Sequence, residues 1–354
     1  MSGLATAVHL ARRGVPVEVF DRRVGGGGRF GGGWQVLDNG TTRLDVLDEL
    51  KAWHLVPSCR ILPVREARFF DHRGRGYHIA STEPYAYFVR RGPSPDTLDS
   101  WLREEARAAG AVLHEGVPAP ADAEVVATGP RVPDGVAREV VFASDLADTV
   151  AVLFDPRVTP TGYAYLFCHG GHATFGVALV RRLRRLPEAR RLAWRRFEEL
   201  LGPFSVRDAR ESGQFMSFSL PLGLQGPDGR WYVGEAAGVQ DFLYGLGMRL
   251  ALRSAALAAA GLAGQWDEGA FERGIRRRMV ASVAMRFLYE WAGASAFASF
   301  CRRAERTDFR ELLLKLQKPR LLLLAMARAV MAAWRDPRPE GRPPVAVWAR
   351  RRER

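Results

Sequence analysis

Residues 231–249 read WYVGEAAGVQDFLYGLGMR, in which a short apolar run leads into a turn that carries an acid at Glu235. About ten residues later Gly245 and Gly247 precede Met248, where a smooth apolar helical stretch begins. This pattern predicts a strand that delivers a carboxylate into a tight turn, followed by a helix with an open N-terminus. Free N–H groups and a partial positive charge at such a terminus suit a ligand edge that gathers negative charge. An ordinary turn between a strand and a helix, with no ligand, would show the same residues.

The start of the chain shows a related order of elements. Residues 4–13 predict a helix, residues 15–20 predict a short strand, and Asp21 follows it. Helix, turn, strand and acid form the second half of a dinucleotide-binding βαβ unit, with Gly3 in the place of its third glycine. No first strand and no first two glycines precede this half. Either the start codon is assigned too late, or the phosphate cradle is missing and binding is weakened.

Three further patterns lie between these ends. Residues 25–34 read GGGGRFGGGW, a composition that is also typical of a flexible surface loop. Residues 85–89 predict a strand that leads to Arg91, and Asp99 stands at the start of an amphipathic helix. An exposed arginine and an acid favoured by the helix dipole would fit as well. A further short strand runs into an Ala-Thr-Gly sequence that ends at Gly129.

Together these motifs resemble the FAD-dependent oxidoreductases of the geranylgeranyl reductase type, within the wider p-hydroxybenzoate hydroxylase-like flavoprotein class. The resemblance covers about residues 1–265 and implies FAD as the cofactor. It implies that the glycine run passes close to the flavin, that the acid after the last strand contacts the ribityl hydroxyls, and that the next helix N-terminus faces the flavin N1/C2=O edge. The cofactor-binding residues implied are Gly3, Asp21, Arg22, Arg29, Gly31, Arg91, Gly129, Gly234, Glu235, Gly245, Gly247 and Met248.

This chain departs from the family at two of these places. Glu235 stands where Asp is usual, and its extra methylene shifts the carboxylate by about an ångström. Phe30 stands where a cysteine often precedes three glycines, so no role for that thiol carries over.

Residues 161–176 resemble the family's substrate-cavity motif, Tyr-x-Trp-x-x-Pro followed seven residues later by Gly. Tyr163 and Gly176 are kept, Tyr165 replaces the tryptophan and Cys168 replaces the proline. The resemblance implies that these four residues line the substrate cavity. Because side chains alternate along a strand, Tyr163 and Tyr165 share one face, which could equally be a core face.

His169 is a third candidate for catalysis beside Tyr163 and Tyr165, as a proton donor near the flavin. A histidine in a solvent-exposed turn fits the sequence as well. The pair His169 and His172 lacks the third and fourth ligands that zinc requires, so we predict no metal site.

Composition excludes several other classes of protein. The 354 residues carry a formal charge of +13, of which residues 301–354 contribute 13 Arg and 2 Lys against 6 acids. The arginines are not interleaved with the aromatic residues of a nucleic-acid-binding surface, so we expect no nucleic-acid partner.

The three cysteines are widely spaced, and no secretory signal or apolar run of about 20 residues occurs, so we expect a cytoplasmic protein. G-x-S-x-G and P-loop motifs are absent.

The sequence therefore predicts an α/β fold with a doubly wound FAD-binding (Rossmann-like) domain, an inserted β-rich substrate domain and a C-terminal helical region. The predicted bounds are 1–45, 85–150 and 215–265 for the FAD-binding domain, 46–84 and 151–214 for the substrate domain, 266–335 for the helical region and 336–354 for a basic, Pro-rich tail. The helical region either presents a solvated arginine face or contacts an anionic membrane peripherally.

The function implied by the resemblance is an FAD-dependent oxidoreductase that saturates C=C bonds of a small apolar, isoprenoid-like substrate by hydride transfer from flavin N5. Its electron donor is unidentified, since no second dinucleotide motif occurs. Two alternatives stay open. One is a flavin-dependent monooxygenase, and the other is a non-catalytic, FAD-deficient protein whose phosphate-binding turn is missing.

Overall fold

A computed structural model describes residues 1–25, 27–130, 133–180, 182–291 and 293–333 of the chain. Gly26 of the glycine run and the predicted basic tail, 336–354, lie outside the described residues.

The elements follow one another in an order that mixes helices and strands throughout. They are α1 (Ser2–Ala11), β1 (Glu18–Asp21), β2 (Trp34–Asp38), α2 (Val46–Ala52), β3 (Ile61–Val64), β4 (Glu66–Asp71), β5 (Gly76–Ala80), β6 (Ala86–Arg90), α3 (Leu98–Ala108), β7 (Val112–Glu115), β8 (Val125–Val126), β9 (Gly135–Ala143), β10 (Thr149–Phe154), β11 (Gly162–His169), β12 (His172–Val180), α4 (Leu186–Leu201), β13 (Arg207–Met216), β14 (Trp231–Tyr232), α5 (Met248–Leu262), α6 (Glu268–Phe271), α7 (Arg277–Trp291), α8 (Gly293–Glu305), α9 (Phe309–Leu316) and α10 (Leu321–Ala333).

The dinucleotide-binding part consists of two separate pairs of parallel strands. β1 pairs with β7, and β8 pairs with β14. Among the described residues neither β1 nor β8 has a strand on its other edge, and both line one large cavity. A doubly wound sheet has one further strand between these two positions.

Helices α1, α3 and α5 enclose the core on one side of this part. Ala5, Val8, Leu98, Leu102 and Leu252 are fully or almost fully buried there. The predicted helix, strand and acid at the chain start are confirmed as α1, β1 and Asp21, and the helix predicted after Gly247 is confirmed as α5.

The second part is built on a sheet with the strand order β13-β9-β12-β11-β10-β4-β5 in the described chain. Helix α4 covers one face, where Phe142, Phe175 and Phe197 are buried. The opposite face lines the cavity. Phe297 of α8 and Phe309 of α9 pack in the hydrophobic cluster on that face, and Phe309 also lines the cavity. A small sheet of order β2-β6-β3 lies between the two parts.

The position of β9 differs from the predicted segment bounds. Residues 135–143 were placed with the FAD-binding segment 85–150, yet β9 is hydrogen-bonded to β12 on one side and to β13 on the other. Pairing along the whole of β9 places it inside the large sheet. The division into domains is otherwise untested and stays a prediction.

No helix within the described residues combines the length and the apolar character needed to cross a bilayer.

Candidate functional site

A cavity of about 1470 Å³ lies between the two parts of the fold. Gly3, Asp21 and the turn that carries Glu235, Gly245 and Gly247 all line it, so these distant motifs share one crevice. Eleven of the twelve residues predicted to bind the cofactor contribute to its wall: Gly3, Asp21, Arg22, Arg29, Arg91, Gly129, Gly234, Glu235, Gly245, Gly247 and Met248. Gly31 does not line the cavity, and a Cβ added to it would lie 3.4 Å from the Cβ of Ser212.

The N-terminus of α1 opens onto the cavity. A Cβ on Gly3 would lie 2.9 Å from the Cβ of Ala127, just beyond β8, so only glycine allows α1 to approach this close. That is the packing role of the third glycine in a dinucleotide-binding unit. The N–H groups of the first turn have no helical acceptor, and no side chain caps them.

The N-terminus of α5 opens onto the same cavity. Gly247 is its N-cap and makes no side-chain cap bond. Gly245 has a φ of +72°, a conformation that glycine adopts readily and other residues do not. A Cβ on Gly247 would overlap the side-chain oxygen of Gln240, whose amide donates to the Gly245 carbonyl. The turn therefore depends on glycine at both positions.

Glu235 forms an ion pair that the sequence pattern does not indicate. Arg29 Nη2 lies 2.6 Å from Glu235 Oε2, and both side chains line the cavity. Burial raises the pKa of Glu235, while Arg29 acts in the opposite direction. The carboxylate predicted to contact ribityl hydroxyls thus also holds a cation that reaches it from the glycine-rich segment.

Arg91 and Asp99 form a second ion pair, deeply buried. Arg91 Nε and Nη2 donate to the two carboxylate oxygens at 2.6 and 2.8 Å, and the Gly92 N–H donates at 2.9 Å. Burial alone would raise the pKa of Asp99, but Arg91 and the donated hydrogen bonds lower it to about 2. The alternative of an exposed arginine is wrong, since Arg91 is 5% exposed.

This ion pair also explains two features of the glycine-rich segment. A Cβ on Gly27, whose φ is +60°, would lie 2.6 Å from Asp99 Cγ, so the segment passes directly over the carboxylate. Phe30 places its ring centroid 4.2 Å from the Arg91 guanidinium carbon and 5.2 Å from that of Arg29. The residue that replaces the family's cysteine thus makes cation–π contacts with two arginines of the cavity wall.

Aromatic side chains line the part of the cavity that faces the large sheet. Tyr163 and Tyr165 lie in this wall, and they share it with Trp34, Phe88, Phe154 and Phe167. Their predicted role as substrate-cavity residues stays a prediction. Tyr163 Oη donates to the Tyr244 carbonyl at 2.7 Å.

The other predicted substrate or catalytic residues lie outside the cavity wall. Cys168 points to the opposite face of β11, where its Sγ donates to the Leu146 carbonyl at 3.2 Å. Gly176 lies beneath the Tyr165 ring. His169, at the β11–β12 hairpin, contacts Asp148 Oδ2 at 2.6 Å and Arg60 at 3.1 Å. These surroundings agree with a turn histidine and give no support to a proton donor beside the flavin.

A polar cluster that no sequence motif indicated also lies in this wall, and it consists of Gln35, Glu139 and Gln214. One signal was present, because Glu139 stands within GVAREVVFA, an otherwise mostly apolar strand in which a buried acid demands partners.

Comparison with known proteins gives structural matches only. No protein-family profile matches the sequence, and no curated protein matches it. A geranylgeranyl bacteriochlorophyll reductase-like protein from Thermoplasma acidophilum has a TM-score of 0.67 at 15% identity over 93% of each chain. p-Nitrophenol 4-monooxygenase from Pseudomonas putida has a TM-score of 0.59 at 14% identity over 90% of this chain and 96% of the other.

Aklavinone-11 hydroxylase, solved with FAD and aklavinone, has a TM-score of 0.54 at 17% identity over 84% of this chain and 68% of the other. The chain therefore has the fold of these three proteins, one of which was solved with FAD. The predicted α/β fold, with a Rossmann-like part and a β-rich part, is confirmed.

Proposed function

We propose that the chain is an FAD-dependent oxidoreductase that saturates C=C bonds of a small apolar substrate of isoprenoid type. One observation carries this proposal. Two uncapped helix N-termini, the Arg29–Glu235 pair and an aromatic chamber all face the same cavity. A helix N-terminus binds anionic groups, and an aromatic chamber binds apolar ones, so the cavity has chemistry for both reactants.

The residues present fit FAD. The first turn of α1 would bind the pyrophosphate, and Asp21 at the end of β1 would accept ribose hydroxyls. The turn before α5 would place free N–H groups at the flavin edge that becomes negative on reduction. Bound FAD would supply hydride-transfer chemistry, and the chain's part is to orient both reactants and exclude water.

The binding part of the proposal is tested by titrating purified protein with FAD and following flavin absorbance and fluorescence. We expect saturable binding, with at least a tenfold loss in Glu235→Ala, because Arg29 would lose its partner in the cavity wall. The matched control is Glu211→Ala, an exposed acid of β13 that pairs with Arg190. A wild-type chain that takes up no FAD would establish the non-catalytic alternative.

The redox part is tested with the FAD-loaded protein, photoreduced under nitrogen and mixed with farnesol as an alkene probe. Reoxidation of the flavin with formation of dihydrofarnesol supports saturation of C=C bonds. A separate assay in air with NAD(P)H as the electron donor tests the monooxygenase alternative, which NAD(P)H consumption with oxygen uptake and peroxide release would favour.

We further propose that the start of α10 contacts an anionic lipid surface, from which an apolar substrate would be collected. Leu321 and Leu322 are 87% and 79% exposed. Exposed basic side chains flank them at Lys315, Lys318 and Arg320. Exposed apolar side chains that are flanked by basic ones match the chemistry of an anionic membrane surface.

A further inference from the structure

Glu139 lies in the middle of β9 and is 2% exposed, yet its partners are all neutral. Its Oε1 accepts hydrogen bonds from Tyr165 Oη at 2.5 Å and from Gln35 Nε2 at 2.7 Å. Its Oε2 accepts from Gln214 Nε2 at 3.1 Å and from Ser212 Oγ at 3.3 Å. No basic side chain of the described residues forms an ion pair with it.

A buried carboxyl without a cation favours the form that carries a proton. Burial raises the pKa of Glu139, while the four donated hydrogen bonds act in the opposite direction. The lack of a basic partner distinguishes Glu139 from Asp99 and Glu235, two other acids of the cavity wall, since both of those face an arginine.

The strand register of the large sheet brings Tyr165 and Glu139 into contact. Tyr165, Gly176, Glu139 and Ser212 stand opposite one another on four adjacent strands, β11, β12, β9 and β13. A Cβ on Gly176 would overlap the Tyr165 ring. Glycine at 176 therefore lets the ring cross β12 and reach the carboxyl. Stacking on Phe167, at 4.8 Å between ring centroids, holds the ring in place.

The cluster is part of the cavity wall. Gln35, Glu139, Tyr165 and Gln214 all line it, among aromatic and aliphatic side chains. A titratable pair in an apolar chamber is out of bulk water and within reach of whatever the chamber holds.

We propose that Tyr165 and Glu139 form the proton-donating pair of this chamber, with Tyr165 as the catalytic residue and Glu139 as the group behind it that holds the proton. The inference rests on the proposed function. Saturation of a C=C bond adds a hydride to one carbon and a proton to the other. The hydride, with both electrons, comes from reduced FAD, and the proton comes from Tyr165 Oη.

Tyr165 Oη donates to Glu139 Oε1 in the resting protein. For the transfer, the hydroxyl turns its proton to the substrate, and the protonated carboxyl then donates to Tyr165 Oη and passes its own proton to it. A proton from solvent that reaches the cavity between turnovers restores the carboxyl of Glu139. A reductant that reloads FAD with two electrons completes the balance. The neutral tyrosine is the donor throughout, because burial and the neighbouring Glu139 raise the pKa of Tyr165 well above its ordinary value.

The protonated carboxyl is tested by infrared titration of the protein from pH 5 to pH 9. We expect a carboxylic-acid carbonyl band at pH 7 that shifts in deuterium oxide and is lost in Glu139→Gln. In Tyr165→Phe the band should persist to higher pH, because the carboxylate loses a donor. Glu211→Gln, on the neighbouring strand but exposed, should leave the band unchanged. A wild-type spectrum without this band, or a band that survives Glu139→Gln, overturns the pair.

The donation step is tested with the photoreduced, FAD-loaded protein and farnesol. We expect Tyr165→Phe and Glu139→Gln to slow flavin reoxidation by about 10²- to 10⁴-fold with FAD affinity unchanged. The wild-type rate should fall over the pH range in which the carbonyl band disappears. Equal rates in wild type and both variants overturn the donation step.

Failure of the proposed function gives a different result. If the protein binds no FAD, or binds it and does not saturate farnesol, the proposed function is wrong, and the infrared band still decides whether Glu139 holds a proton.

Discussion

At the scale of single residues, the cavity wall depends on paired charges and on glycines that make room for them. Asp99 is fully buried, and its charge is balanced by Arg91 through two hydrogen bonds. Gly27 passes over the carboxylate at a distance that no side chain would allow. The pair joins the end of β6 to the start of α3, so it fixes the position of these two parts of the wall relative to each other.

Asp99→Asn should lower the free energy of unfolding at pH 7 by about 3–5 kcal/mol, because Arg91 would stay buried without a counter-charge. The folded-state pKa of Asp99 is about 2 against an ordinary 3.8. A depressed pKa gives stability above about pH 4 that is lost as the pH falls towards 2. The wild type should therefore lose about 2 kcal/mol more than Asp99→Asn over that interval.

Urea unfolding at pH 7, 4, 3 and 2 measures both effects. Glu104→Gln is the control, because its pair with Arg107 is exposed and should contribute less than about 1 kcal/mol. An acid profile that is the same in Asp99→Asn and the wild type contradicts the assigned pKa.

At the scale of elements, α1 comes close to the chain at Ala127, just beyond β8. Both atoms of the Gly3–Ala127 contact would be Cβ atoms, which have no torsion that could relieve an overlap. The contact sets the distance of the α1 N-terminus from the strand, and thereby the position of its free N–H groups in the cavity.

Gly3→Ala should therefore push α1 away from β8. We expect a loss of about 1–3 kcal/mol in the free energy of unfolding and at least a tenfold weaker binding of FAD. Adding Ala127→Gly in the same chain removes the opposing Cβ and should restore most of the affinity. Urea unfolding and FAD titration of the four chains in this double-mutant cycle give the coupling. Unchanged FAD affinity in Gly3→Ala would show that the α1 N-terminus does not contact the cofactor.

The local sequence predicted the helices and strands that carry the glycines and acids of the site, because turns and helix periodicity depend on residues that are close in the chain. It placed α1, β1, α3 and α5 close to their observed bounds. It could not place β9, because membership of a sheet depends on hydrogen bonds to β12 and β13, which follow it far along the chain.

The same limit applies to the site. Strand alternation predicts that Tyr163 and Tyr165 share one face, whereas the Arg29–Glu235 and Tyr165–Glu139 contacts join residues 206 and 26 positions apart. His169 had the right chemistry for a proton donor, but the hairpin turns it towards Asp148.

At the scale of the whole molecule, the gap between β1 and β8 and the aromatic chamber belong to one cavity that runs between the two parts of the fold. The formal charge is distributed unevenly along the chain. Of the formal +13, residues 301–354 contribute +9. The described part of that segment packs α9 against the chamber through Phe309 and Leu313, so α9 adjoins the proposed substrate site.

This arrangement leads to a prediction about lipid surfaces. The protein should co-sediment with vesicles of phosphatidylserine and phosphatidylcholine but not with phosphatidylcholine alone, because each basic residue near an anionic surface contributes about 1 kcal/mol. The charge-reversed variant Lys315→Glu/Lys318→Glu/Arg320→Glu should abolish the binding, and 0.5 M salt should weaken it in the wild type. The matched control, Arg184→Glu/Arg191→Glu/Arg195→Glu, reverses the same number of exposed charges in and near α4 and should bind as the wild type does. Equal loss in both variants would mean that net charge alone governs the interaction, and no binding by the wild type would leave the basic helices as a solvated face.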